Sequence, residues 1–335
     1  MRTRTKLALV LLAAMSIFMV DSGSMSAQET EARTISLATL APPGSTWMRV
    51  FDAWNREMRR RSGGNLQLRI YGGGVQGDES EVIRKIRSGR LDAASVTATG
   101  LSQIHRPALV FQIPGLIRSY DQLDRARDAL APEMAQGFQS AGFRMLGWAD
   151  VGQSRIYSTT PIRVPADMAS RHPWTNRDDT VLPIFYQVVR SNPVPLQISE
   201  VLGAIQTGRV DTAIVPPVPC VALQWCSRLT HMTDMPMPIV LGGTVIGQRA
   251  WDELSEEQRT ILTETATQFH QLARRNLRRD EQQALSSFGS RGGTVVSVTP
   301  AQQQEWATAA TTIRGRLTGQ IAEQALVDRV AAFGR

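Results

Sequence analysis

The chain has 335 residues, of which 42% are hydrophobic and 20% charged, with 26 Gly and 17 Pro. That length and balance suit two α/β domains and exclude a wholly disordered chain or a coiled coil. The net charge is +7, and every basic residue except Lys6, Lys85 is Arg; the Arg residues are scattered and form no basic run interleaved with aromatics, so nucleic-acid binding is not indicated.

At the N-terminus Arg2, Arg4 and Lys6 precede an apolar run, Leu7 to Val20, that is short for a bilayer span, and small residues follow to Ala27. This layout predicts a secretory signal peptide over 1–27, cleaved near Ser26 or Ala27, and so an exported protein. Thr34–Leu40 reads as a first strand, followed by a Pro-Pro-Gly-Ser loop and a helix with Trp47, Val50, Phe51 and Trp54 on one face. Leu66–Tyr71 alternates as a second strand. Gly72 to Gly77 then matches G-x-G-x-x-G. The acid that a dinucleotide site needs at the end of the next strand is missing, because Asp92 stands at that strand's start. The glycines read instead as a turn whose backbone can approach a ligand closely.

Ser80–Val96 recurs as Ser199–Val215, with nine of 17 positions identical. Each copy predicts a Ser N-cap and a helix whose apolar face is Val82, Ile83 and Ile86, or Val201, Leu202 and Ile205. A left-handed Gly follows, Gly89 or Gly208, and then a strand, 91–96 or 210–215. One helix-Gly-strand unit used twice predicts two α/β domains of similar plan.

Cys220 and Cys226 would stand about 9 Å apart along a straight helix, beyond bridging distance. Two buried free thiols are therefore expected, although export makes a disulfide chemically possible. Ser255-x-x-Gln258 is a capping box. It opens a helical pattern reaching Phe288, about 50 Å long and able to lie across both domains as a strut. His105, His172, His231 and His270 are dispersed, and neither H-E-x-x-H nor G-x-S-x-G occurs. No nucleophile–base set can be assembled, so no enzyme, metal site or cofactor is predicted.

Four stretches carry a resemblance to a known family: Leu37–Trp47, Tyr71–Glu79, Thr160–Asp167 and, most specifically, Asn192–Asp211. Over about residues 34–300 the chain resembles the DctP-type solute-binding proteins of TRAP (tripartite ATP-independent periplasmic) transporters. The resemblance implies a two-lobed, type II-like α/β periplasmic protein with a long helix spanning both lobes. Lobe I would take 28–152 plus about 242–280, and lobe II 153–241 plus about 281–335. It further implies a monomer that closes over one small molecule and delivers it to the transporter's small and large membrane subunits. The loops Thr97–Thr99 and Pro216-Pro217, beyond the ends of the echoed strands, would face each other across the cleft.

The resemblance also locates a site. The family's carboxylate-binding Arg falls on Trp174, its supporting Asn on Val215, and an aromatic lining position on Ile198. The segment Trp174–Asp179 is similar to a minority branch, in which Asp179 and Trp225 take defined positions. The expected ligand-binding residues are thus Trp174, Val215, Ile198, Trp225, Asp179 and Asn176, with Trp47, Glu79 and Arg155. Trp47 fits the first helix's core equally well, and Glu79 fits a helix cap. Indole and isopropyl groups in place of a cationic fork imply an apolar or amphipathic ligand. An organic acid held by a displaced Arg155 or Arg177 is the alternative, and a periplasmic enzyme or a receptor of another transporter class is the third reading.

Overall fold

The computed structural model describes residues 32–334, so the expected signal peptide lies outside the described residues. The chain opens with β1 (Arg33–Thr39), α1 (Thr46–Arg61) and β2 (Leu66–Tyr71). The first echo follows as α2 (Glu79–Arg87) and β3 (Ala93–Thr97), then α3 (Ala98–Ser102), α4 (Tyr120–Ser140) and the long β4 (Phe143–Gln153). Next come β5 (Arg155–Ser158), β6 (Trp174–Thr175), α5 (Leu182–Val188) and β7 (Val194–Pro195). The second echo is α6 (Ile198–Gln206) and β8 (Thr212–Val215), followed by α7 (Pro217–Ala222), β9 (His231–Thr233) and β10 (Ile239–Gly247). The chain finishes with α8 (Gln248–Asp252), α9 (Glu256–Ser286), β11 (Thr294–Val296), α10 (Pro300–Leu317) and α11 (Gln324–Phe333). None of the described helices is long and apolar enough to cross a membrane.

Two sheets organise these elements. The first has the order β2-β1-β3-β10-β4, with β2, β1 and β3 parallel and β10 antiparallel to both its neighbours. The second has the order β11-β9-β5-β8, and a bridge from Pro173 to Thr212 sets the small β6-β7 pair beside it. Each echo supplies one strand to one sheet, β3 to the first and β8 to the second. Gly89 and Gly208 both take the left-handed conformation, at φ 73° and 75°, which turns each helix back toward its strand. The caps differ from expectation. The helices start earlier, so Asp78 and Gln197, not Ser80 and Ser199, are the N-caps; Glu200 completes a capping box with Gln197.

The strut is α9, with 31 residues spanning about 46 Å at 1.5 Å per residue. It packs along α1 and β4 and also on α7. Its capping box forms as expected, with Ser255 and Gln258 exchanging side-chain-to-backbone bonds at 3.1 Å. The tail divides: α10 lies on α5 of the second lobe, whereas α11 lies on α4 of the first. The second-lobe expectation for 281–335 therefore does not extend to α11, whose Leu326, Val327 and Val330 join the core that includes Leu123, Ala126 and Leu130.

One buried histidine joins α9 to the first sheet. His270 stands with Nδ1 2.6 Å from the Ala266 carbonyl and Nε2 2.7 Å from the Thr244 hydroxyl, and its ring meets Trp54 edge-on. A carbonyl only accepts, so Nδ1 carries the proton and Nε2 accepts from Thr244. The ring fits because residue 147 is Gly: a Cβ there would stand 2.5 Å from His270 Cγ. Burial holds the His270 pKa down at about 4. Between that value and the ordinary one near 6.5, the unfolded chain binds a proton that the folded chain does not, so stability is lost as the pH falls through this window. Urea unfolding at pH about 7 and about 4.5 should show a loss attributable to this group of up to about 3 kcal/mol. The loss should be smaller in His270→Gln, and an equal slope in that variant would assign it to other groups.

Candidate functional site

The chain crosses between the sheets at Ser154 and again at 234–238. The crossings bind each other: the Ser154 N–H donates to Pro238 O at 3.2 Å, and the Met237 N–H donates to Ser154 O at 3.0 Å. Above them lies a cavity of about 210 Å³. The first lobe contributes the carboxyl ends of β1 and β3, at Thr39 and Thr97, with Trp47, Glu79 and Thr99. The second contributes the end of β8, at Ile214, Val215 and Pro216, with residues of 174–198 and 219–225. Strand ends from both sheets thus converge on one site, as open α/β sheets favour. The loops at Thr97–Thr99 and Pro216 do line it from the two sides.

Trp174, Asn176, Asp179, Ile198, Val215, Trp225, Trp47 and Glu79 all line this cavity; Arg155 does not. The wall is mostly apolar, and it contains no Arg, Lys or His among the described residues. Trp174 and Trp225 meet edge-on, with ring centroids 4.9 Å apart and planes at 70°. The Trp174 indole N–H donates to Leu196 O at 3.0 Å and its carbonyl accepts from the Tyr186 hydroxyl at 2.9 Å. With those bonds made, the indole offers the cavity carbon surface.

The acidic side chains in the wall also serve the backbone. Glu79 does not cap its own helix. It accepts from the Thr97 N–H at 2.6 Å, the Thr97 hydroxyl at 2.7 Å and the Gly100 N–H at 2.8 Å, pinning the start of α3 to α2. Burial outweighs those bonds and raises its pKa to about 7. Asp179 Oδ1 accepts from the N–H groups of Val181 and Leu182, at 2.7 and 3.0 Å, at the entry to α5. Burial raises its pKa as well, against those two bonds. Asn176 Oδ1 accepts from the Asp178 N–H at 2.9 Å and shapes the turn between them.

The two candidate cations are placed differently. Arg177 is exposed, and its Nη2 donates to both Glu200 oxygens, at 3.1 and 2.8 Å. Arg155 is 9% exposed. Its Nη1 reaches the carbonyls of Ser154, at 3.0 Å, and Gln153, at 3.5 Å, and its buried Nε has no partner. It stands directly opposite Val215 in the β5–β8 pair, so both side chains leave the same face of the sheet.

Cys220 and Cys226 form a disulfide, with Cα atoms 5.3 Å apart, which corrects the expectation of free thiols. The spacing argument assumed a continuous helix. In fact α7 ends at Ala222, and Gln224 turns left-handed at φ 63°, folding the chain back on itself. Sequence reasoning missed the bridge because a single non-Gly residue at positive φ leaves no periodic signal. The ring encloses Leu223 and Trp225, both cavity-lining residues. We expect Cys220→Ala with Cys226→Ala to lower stability by about 2 kcal/mol, from the entropy of a short closed loop. Denaturant unfolding measures this, and thiol titration of unfolded, unreduced wild type should find no free thiol.

The DctP family, described as bacterial extracellular solute-binding protein family 7, matches residues 37–317. The 2,3-diketo-L-gulonate-binding periplasmic protein YiaO of Escherichia coli is 23% identical over 262 residues, covering 73% of this chain and 75% of that one. A TRAP periplasmic solute-binding protein from Sulfurospirillum deleyianum with bound succinate superposes with a TM-score of 0.84 at 19% identity, over 90% of this chain and 99% of that one. The sugar acid binding protein of Advenella mimigardefordensis, in complex with galactonate, gives 0.85 at 16% identity, over 91% and 98%.

Proposed function

We propose, from the premise that the chain belongs to family 7 of the bacterial extracellular solute-binding proteins, the DctP family, that it captures a small organic acid between its lobes and passes it to the membrane subunits of a TRAP transporter. The family is one of solute receptors, so the chain is a binding protein and not an enzyme. On this proposal residues 1–27 are the leader that exports it to the periplasm, and the ligand's partners are the wall residues Trp174, Ile198, Val215, Trp225, Asp179, Asn176, Trp47 and Glu79. The lobes are those built on the two sheets, with the Ser154 and 234–238 crossings as hinges.

The observation that carries the acid reading is Arg155. A guanidinium buried beside the cleft, with one unpartnered nitrogen and no carboxylate within ion-pair distance among the described residues, is in an unfavourable state. An incoming carboxylate would supply a partner for the free nitrogen and a forked acceptor. Similar proteins bound to succinate and to galactonate support the same chemistry. The apolar wall and Trp174 in place of the family's Arg favour a second reading, a neutral ligand with an apolar body. Such a ligand would gain about 25 cal/mol per Å² of apolar surface covered.

Calorimetric titration with succinate, galactonate and an arylalkanoate separates the two. On the acid reading at least one carboxylate binds, and Arg155→Ala weakens it about 100-fold. If Trp174→Ala abolishes binding while Arg155→Ala leaves it unchanged, the neutral-ligand reading replaces it.

A further inference from the structure

The charge layout of the cleft is lopsided. Among the described residues its ionisable wall groups are two acids, Glu79 from the first lobe and Asp179 from the second, and burial raises the pKa of both. Asp179 Oδ1 is engaged by two backbone N–H groups, while Oδ2 accepts no hydrogen bond among the described residues. The imbalance continues beyond the wall. The pKa of Asp78, the N-cap of α2, is raised by burial and then by the like charge of Asp178 on the other lobe. Arg177 opposes this, but it already holds Glu200. Among the described residues, the one buried cation near the site is Arg155, set back behind the wall at the crossing.

Indoles complete the pattern. Trp47 reaches the cavity from the first lobe, and the edge-on pair Trp174 and Trp225 reaches it from the second. Indole faces carry negative potential and attract cations, most strongly where water is excluded. A solute with two carboxylates would bring two negative charges to a wall that already holds two acids, with one guanidinium to meet them. A solute with one carboxylate and one cationic nitrogen matches both features at once.

We propose that the solute is a zwitterionic organic acid, with an alkylated ammonium lying among Trp47, Trp174, Trp225 and Asp179 and a carboxylate directed to Arg155. This rests on the cleft being the solute site and names the ligand class for it. A cation beside Asp179 and Glu79 restores the counter-charge that desolvation denies them. Alkyl groups on the nitrogen match the carbon surface of the wall, which a primary ammonium with its tight hydration would not.

The test uses probe pairs that differ only in charge. Trimethylglycine and 3,3-dimethylbutanoate have the same shape, with N⁺ replaced by carbon; 4-(trimethylammonio)butanoate and 5,5-dimethylhexanoate form a longer pair. Titration calorimetry of the wild-type protein should show at least one zwitterion binding about tenfold or more tightly than its carbon counterpart. Asp179→Asn and Trp174→Ala should each shrink that ratio toward one. Because the ratio is read on the wild type, a variant that fails to fold does not leave the proposal undecided. Equal or tighter binding of the carbon counterparts would overturn the inference. So would a protein that binds succinate or galactonate but neither zwitterion, in which case the organic-acid reading survives alone. Binding of none of these acids would overturn both.

Discussion

The cleft exists because the chain passes between its two sheets through extended segments that bind each other at Ser154. The paired bonds to Met237 and Pro238 leave two crossings side by side. β4 and β10, which feed those crossings, are antiparallel neighbours in the first sheet. Residues of both strands line the cavity floor: Ala149 and Val151 from β4, Val240 and Gly242 from β10. Alternation along β4 sends Asp150 to the opposite face, away from the cavity.

On that opposite face a charged network fastens α9. Asp150, fully buried, accepts from Arg127 at 2.9 Å and from Arg278 at 2.7 Å, and Arg278 also forks onto Asp124. Further along, Glu281 accepts from the Tyr120 hydroxyl at 2.6 Å and from the Gln153 N–H at 2.8 Å, one residue before the crossing. Gly152 lies where a Cβ would stand 2.6 Å from Glu281 and 2.7 Å from Pro216. The strut, the end of β4 and the cleft wall therefore meet at a single point. Buried charges of this kind are weak sources of net stability but strict about geometry, because losing one partner strands the other.

The same economy governs the cleft wall. Glu79 pins α3, Asp179 starts α5, and the Trp174 N–H is held by Leu196. Polar groups of the cavity wall are mostly engaged in fixing the loops that carry them. What the wall leaves open is indole and aliphatic surface, a few hydroxyls and the unshared oxygen of Asp179, with Arg155 set behind it. Such a wall discriminates through a small number of polar contacts, each of which matters because little else in the cavity can replace it.

Local order was legible in the sequence wherever it depends on spacing. The recurrence of Ser80–Val96 as Ser199–Val215 marked two helix-Gly-strand units, and each entered a different sheet as a helix, a left-handed Gly and a strand. The capping box at Ser255 and the apolar rows behind it marked the strut. Matching the family motifs residue by residue brought eight of the nine expected residues to one cavity. Only the tertiary structure decided the rest. It turned Gln224 left-handed and so brought Cys220 to Cys226, set Arg155 behind the wall while joining Arg177 to Glu200, carried α11 back to α4, and gave Glu79 to α3. Periodicity and motif spacing report which face of an element is apolar, because that follows from backbone geometry within a few residues. The direction of one side chain, or the meeting of groups a hundred residues apart, depends on packing contacts that exist only once both lobes have formed.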